Sequence, residues 1–359
     1  VGLGPGWKEA EEGRPFIGPS GQLLDKALGE AGLDRADIWI ANASRGLPVG
    51  VTIDGKYHSK KLAEKLAVQS CRSCILGELA IVRPKVIVAV GTLTMSALTD
   101  DVVGVTKLQG SLNRLTKDAG LDPAPIVIPV FHPAHLLRGE MRHYPQVVAG
   151  FRKAKRIAAE GPSPPQGKIF PVSPTSATVD ADIDLLEAIV DDVLTSGVDI
   201  ALDVETTEKD PLDAILTVFG FAADTKLHGR VSVPVTVRMW DGAMFVVGWL
   251  REQWERIDAV IVRLLAGRNR KWLWNYGYDY TVLERHYDVR AQLEEILSTP
   301  GKSPVNDGMI LHHLCQPDSL HGLDFVAHTE LDIPPWKYHF RRKEKAGEAS
   351  HDDLLIYNA

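Results

Sequence analysis

Cysteine is scarce in this 359-residue chain: only Cys71, Cys74 and Cys315 occur. Three thiols cannot build a disulfide framework, and they suit a reducing compartment. Long apolar runs are missing too. No stretch approaches the ~18 residues that a membrane-spanning helix needs, and no signal peptide opens the chain. No membrane partner is expected, and a cytoplasmic setting is. Excess basic charge is also absent. A net charge of -7 argues against a uniformly basic surface, although FRKAKR (151–156) and RNRK (268–271) could each meet phosphates locally. The initiator Met is lacking as well. VGLGPG reads as the last residues of a strand entering a Gly-rich turn, so the first residue is expected to be a cut inside a longer protein.

What is present is ordinary globular material, 45% hydrophobic and 24% charged, long enough for two cores. Residues 160–179 are dense in Pro, Ser, Thr and Gly without an apolar period, as a linker should be. The expected organisation is therefore a domain over 1–160, a linker over 161–179 and a second domain over 180–359. In the first, the apolar runs DIWIANAS, PKVIVAVG and PIVIPVF alternate with helical patterns such as SGQLLDKALGEAGL, where Leu24, Leu28 and Ala31 share a face. That alternation predicts an α/β fold with a parallel sheet, whose sites lie at the carboxyl ends of its strands. In the second, DIALDVET and ILTVFGFA read as neighbouring strands, with helical stretches such as REQWERIDAVIVRLLAG after them.

The second half carries spaced acids. In ALDVETTEKD, Asp203 and Glu205 would project side by side from a strand while Val204 turns inward. WNYGYDYTVL sets Asn275 and Asp279 at the head of a predicted helix, NDGMILHHL adds Asp307, and the chain reaches Tyr357 in DDLLIYNA. A lone D-x-E is most simply a strand entering a solvated turn. Taken in order, however, D-x-E-x-T, N-x-x-x-D and a late Tyr resemble the 3′-5′ exonuclease domain of family A DNA polymerases, the DEDD nuclease superfamily, across residues 180–359. The resemblance implies an RNase H-like fold in which Asp203, Glu205 and Asp279 hold two Mg²⁺ or Mn²⁺ ions and Tyr357 orients the attacking water. Thr206 and Asn275 would support the site or the substrate strand. Hard oxygen ligands suit those ions, and a two-ion clamp suits in-line phosphodiester hydrolysis. The last motif's Asp would fall two residues beyond Ala359, so that domain is expected to be truncated.

The first half carries a second resemblance. GLGPGWKEAEEGRPFIGPSGQLLDKAL, WIANASRGLPV, RPKVIVAVG and VFHPAHLLR read in order like the uracil-DNA glycosylase superfamily, closest to its family 4, over nearly all of residues 1–158. That implies a parallel-sheet sandwich in which Phe16 is the aromatic platform for an extracted base and Asn42 reads its edge. His132 would stabilise negative charge on the departing uracil. Their bland alternatives are core packing, a strand-end cap and a turn histidine. Leu3 stands where the family's first acid belongs, Ala10 replaces its Asp, and Glu9 keeps the later acid. Leu136 or Leu137 could fill the gap left by a flipped base. The family's iron–sulfur cluster is not expected, because only Cys71 falls at a ligand position and Gly46 stands where another Cys belongs. Cys71 and Cys74 also lack the second pair that a zinc site needs.

A glycosylase-like domain ahead of a proofreading nuclease resembles the amino-terminal portion of certain bacteriophage family A DNA polymerases. The expected function is thus metal-dependent 3′-5′ hydrolysis of single-stranded DNA ends, with a polymerase domain downstream and, if phage-encoded, the bacterial host cytoplasm as the setting. The alternatives are an active uracil-DNA glycosylase in base-excision repair, a stand-alone nuclease resembling ribonuclease D, and a DNA-binding module with neither activity.

Overall fold

The computed structural model describes residues 1–46, 51–53, 56–58, 60–99, 104–163, 167–240, 244–287, 305–317 and 319–335, with scattered positions from 337 to 350. The chain divides into two compact units, Val1–Pro165 with Asp318–Pro335, and Gln166–Pro317 with Trp336–Ala359. The break after Pro165 lies inside the Pro/Ser-rich stretch. The return of residues 318–335 to the first unit departs from the sequence reading, which assigned all of 180–359 to one domain.

In the first unit, PKVIVAVG and PIVIPVF form the parallel strands Val86–Val90 and Ile126–Val130, and Asn113–Arg114 pairs antiparallel with the latter. The beginning of the chain extends this sheet. The Val1 amino group donates to the Val88 carbonyl at 2.8 Å and the Val90 N–H to the Val1 carbonyl at 2.9 Å. On the other side, Gly2 and Ala41, then Ala43 and Gly2, are joined by N–H to carbonyl bonds of 2.8 Å. Residues 1–3 therefore run between Val86–Val90 and residues 41–44. DIWIANAS, expected as a strand, contributes one bridge, between Gly2 and Asn42.

Two helices cover the sheet. Pro19–Glu30 buries Leu24, Ala27 and Leu28, and Tyr144–Glu160 buries Val147, Val148, Phe151 and Ile157. Each such aliphatic or aromatic side chain contributes about 1.5–3 kcal/mol when fully removed from water. Gly150 lets the second helix approach closely, since a Cβ there would lie 2.6 Å from Val130 Cγ1.

The returning segment forms the helix Leu323–Glu330, which buries Phe325, Ala327 and His328. Its attachment centres on Lys153, a lysine only 6% exposed. The Lys153 ammonium donates to the carbonyls of Gly110 at 2.8 Å, His328 at 2.6 Å and Leu331, while Asp332 pairs with Arg156. Burial pulls the Lys153 pKa down to about 8. A buried charge persists when its donors are all used, and this ammonium has three acceptors for three N–H bonds.

In the second unit, DIALDVET and ILTVFGFA become the antiparallel strands Ile200–Thr206 and Leu216–Thr225. They lie centrally in a six-stranded mixed sheet, ordered Val305–Asp307, Lys271–Leu273, Ile200–Thr206, Leu216–Thr225, Gly229–Thr236 and Lys168–Ile169. The helices Val179–Ser196 and Arg251–Ala266 supply Ile183, Leu186, Val190, Ile257, Ile261 and Leu264 to its core. Both units are α/β. Among the described residues no helix is long and apolar enough to cross a membrane.

Lys153→Met keeps most of the side chain's volume and leaves three carbonyls without their donor. The expected loss is about 3 kcal/mol of stability, seen as a lowered thermal midpoint together with faster proteolysis within 318–335. An unchanged midpoint would mean that the ammonium does not hold the segment.

Candidate functional site

Val1–Leu3, Val86–Val90 and Ile126–Val130 end on one side of their sheet, and a cavity of 590 Å³ opens there, lined by Gly4, Phe16, Asn42, Gly91 and His132 among others. Open α/β sheets bind ligands at this position because several strand ends deliver their loops to one crevice. The structure thus brings Phe16, Asn42, His132 and Glu9 to a single cavity.

Phe16 is held there at a cost. Its φ is 56°, in the left-handed region that residues with a Cβ seldom adopt. Arg35 fixes that conformation: Nη1 donates to the Phe16 carbonyl at 3.1 Å and to Asp25 Oδ1 at 2.6 Å, and Nη2 donates to the Pro15 carbonyl at 2.7 Å. Two glycines make room. A Cβ on Gly21 would lie 1.9 Å from the Phe16 carbonyl oxygen, and one on Gly2 would lie 2.5 Å from both the Phe16 ring and Asn42 Oδ1. The first glycine of GLGPG is therefore where the ring and the amide close over bare backbone. Sequence reasoning missed Arg35, whose only signal was its position in an unremarkable L-D-R-A-D phrase.

His132 sits at the cap position of the short helix Pro133–His135, and its Nδ1 accepts the Ala134 N–H at 3.1 Å. An accepting Nδ1 leaves the ring proton on Nε2. Burial first, then the positive charges of Arg138 and His135, push its pKa down to about 4, so at neutral pH the ring is an uncharged donor. It lies nearly parallel to Phe16, with centroids 6.0 Å apart.

Glu9 and Leu3 both line the cavity. One Glu9 oxygen accepts the Gly6 N–H at 2.8 Å and caps the helix Trp7–Glu12. Of the two leucines, Leu136 is fully buried and Leu137 is 49% exposed. Cys71 is half-buried and Cys74 exposed, and they stand at the start of the helix Arg72–Val82. With Gly46 at the other expected position, these residues do not fit a four-thiolate cluster.

The acids of the second unit form a different arrangement. Asp203 and Glu205 are half-buried on either side of buried Val204 in Ile200–Thr206. Asp279 lies in the first turn of Tyr276–His286 and is 5% exposed, with no hydrogen-bond partner for Oδ2. Burial, then the charges of Asp203, Glu205 and Asp307, raise its pKa to about 8. Asn275 stands at that helix's head with φ 65°. Asp307, the further acid, is occupied as a cap: Oδ1 accepts the Met309 N–H at 2.8 Å and Oδ2 the Tyr276 N–H at 2.9 Å. The Thr206 hydroxyl bonds the Glu208 carbonyl and Tyr278. Among the described residues, no three His, Cys, Asp or Glu side chains are grouped to hold a metal ion. Tyr357 lies outside the described residues.

A crevice at strand ends that presents an aromatic face, a primary amide and a neutral imidazole defines a domain suited to a flat, polar-edged heterocycle. Residues 1–154 match the Uracil DNA glycosylase superfamily. The chain is 35% identical over 164 residues to a Type-4 uracil-DNA glycosylase of Thermotoga maritima, covering 45% of this chain and 78% of that protein. It is 33% identical over 98 residues to that of Pyrobaculum aerophilum, covering 27% and 45%. It is 29% identical over 143 residues to that of Sulfurisphaera tokodaii, covering 38% and 59%. The chain belongs to the uracil DNA glycosylase superfamily.

These relationships correct the expectation of a proofreading 3′-5′ exonuclease of a family A polymerase: the relatives are glycosylases, and neither a nuclease nor a polymerase is supported. The physical reason is visible in the acids themselves. Period-two spacing on a strand and a helix-head Asp arise in many sheets, and here one acid caps helices while another is buried and inclined to keep its proton.

Arg35→Ala frees two carbonyls and lets Phe16 relax toward negative φ. The expected outcome is about 2 kcal/mol of lost stability and a weakened nuclear Overhauser contact between the Phe16 and His132 rings. Unchanged ring contacts would show that local packing alone holds Phe16.

Proposed function

We propose that the first unit removes uracil from DNA by hydrolysing its glycosidic bond. The observation that carries this reading is the neutral, tautomer-fixed His132 facing the same cavity as Phe16 and Asn42, in a chain whose relatives are named Type-4 uracil-DNA glycosylases. To be cut, the base must leave the stack. Phe16 gives it an aromatic face, Asn42 offers a donor and an acceptor to its edge, and exposed Leu137 fills the gap in the strand. As the N1–C1′ bond breaks, its electron pair passes to the base, and the His132 Nε2–H stabilises the charge growing on a uracil oxygen. Water then captures the sugar cation and loses a proton. We infer that no iron–sulfur cluster assists, because Gly46 stands where one of the four thiolates would belong.

The 359-residue chain should convert a uracil-containing single strand to abasic sites, and His132→Ala should slow release by ~10²–10³-fold, the range for losing one preorganised donor. A protonated imidazole donor would make the rate fall as pH rises through about 6.5. A ring that is neutral above about 4 predicts no such fall. No abasic sites, or a His132→Ala rate equal to the parent's, would refute the reading.

For the second unit we infer an RNase H-like sheet, a reading supported by its strand order. Because Asp203, Glu205 and Asp279 are not grouped to hold an ion, no metal is assigned to them. Asp279→Asn should raise the melting temperature at neutral pH, because folding would no longer bury a carboxyl that burial and its acidic neighbours force to take up a proton. An unchanged melting temperature would mean that Asp279 is not buried against those acids.

A further inference from the structure

The rim of the cavity in the first unit carries a feature that base extraction does not use. Trp7 is 74% exposed, yet it lines the same cavity as Phe16, Asn42 and His132. Lys8 and Arg138 line it too. A single exposed apolar residue usually needs no explanation. An exposed indole and two cations lining one cavity, beside the acids Glu9 and Glu64, are a more specific pattern, since unpaired nucleic acid is held by aromatic faces for its bases and cations for its phosphates.

The backbone of Trp7 is also fixed in place. It occupies the first position of the helix Trp7–Glu12, whose start is capped by Glu9 through the Gly6 N–H and whose end is turned by Gly13 at φ 68°. The Ala10 N–H to Gly6 carbonyl bond of 2.9 Å closes its first turn. A side chain on so short and firmly capped an element has little backbone freedom to lose on binding, which favours affinity. An apolar protein partner would find a poor surface here, because the cations would be desolvated without matching acids.

We propose that Trp7 is a stacking platform for the nucleotide next to the extracted base, and that this makes an unpaired DNA strand the preferred substrate. Lys8 and Arg138 meet the phosphates on either side. In a duplex the neighbouring base is already stacked and paired, so the indole would gain only by breaking that stack. The inference rests on the reading that this cavity takes a base, and it adds the nucleotide beside it and the strandedness of the substrate.

The test is a binding cycle on the full chain, using fluorescence anisotropy of a labelled single strand that carries one non-cleavable 2′-fluoro-deoxyuridine. Trp7→Ala should weaken binding roughly tenfold, within the range for losing one aromatic stack, and Trp7→Phe should keep most of the affinity. Replacing the bases beside the uridine by abasic spacers should cost the parent a similar factor and cost Trp7→Ala almost nothing. The parent should bind the matched duplex more weakly than the single strand. Undiminished binding by Trp7→Ala, equal spacer penalties in both proteins, or tighter binding of duplex by the parent would each overturn the proposal. Uracil release is measured separately. Release without coupling at Trp7 sinks this inference alone, and coupling without release sinks the cleavage reading alone.

Discussion

The left-handed backbone of Phe16 is the constraint on which the first unit's site depends. A phenylalanine at φ 56° is unstable by itself, so the fold must hold it from outside. Arg35 does so by taking the Pro15 and Phe16 carbonyls, on either side of the Phe16 Cα, and Asp25 keeps the guanidinium aimed. Gly21 and Gly2 then become obligatory, one under the Phe16 carbonyl and the other under its ring. Because Gly2 belongs to the segment paired with Asn42, the same contact that admits the ring also positions the amide. The platform and the edge reader are thus parts of one packing solution.

Desolvation then sets the charge state of one titratable group in each unit, with opposite results. In the first unit it strips the proton from His132, which suits a donor that must be neutral yet polar. In the second, burial and then the negative charges of Asp203, Glu205 and Asp307 favour the protonated form of Asp279. One effect disfavours the charged form in each case. What differs is whether the uncharged form has work to do: neutral imidazole still donates through Nε2, whereas a protonated carboxyl offers a cation less than its carboxylate would.

Much of this was legible in the sequence, and the limits have physical causes. Phe16, Asn42 and His132 were readable because each lies in a phrase dictated by tight backbone geometry. The strands Val86–Val90 and Ile126–Val130 were readable from continuous apolar runs. Arg35 was not, since a guanidinium reaching back twenty residues leaves no periodic trace. The return of 318–335 was hidden for the same reason: it is tied down by Lys153 and Arg156, long side chains on a helix whose pattern reads as amphipathic. In the second unit the D-x-E spacing correctly gave Asp203 and Glu205 a shared side of their strand. It did not give their chemistry, because spacing fixes which way a carboxylate projects and says nothing about whether its neighbours are helix caps, as Asp307 is.

The loss of acids at Leu3 and Ala10 acquires a meaning once Glu9 is located. Its carboxylate lines the cavity, but one oxygen holds the Gly6 N–H and so stabilises the helix that carries Trp7. An oxygen that already accepts a backbone N–H is occupied as a cap, and the carboxylate has one acceptor fewer for water in the cavity. Under the proposed chemistry this shifts the burden of catalysis away from activating water and onto stabilising the departing base. The residues that serve departure are the ones the fold constrains most tightly: His132 by its tautomer and burial, Phe16 by its clamped backbone. A site so arranged gains its rate from how well it holds the extracted base as charge builds on it, and the grip on the strand at the cavity's rim becomes part of the same task.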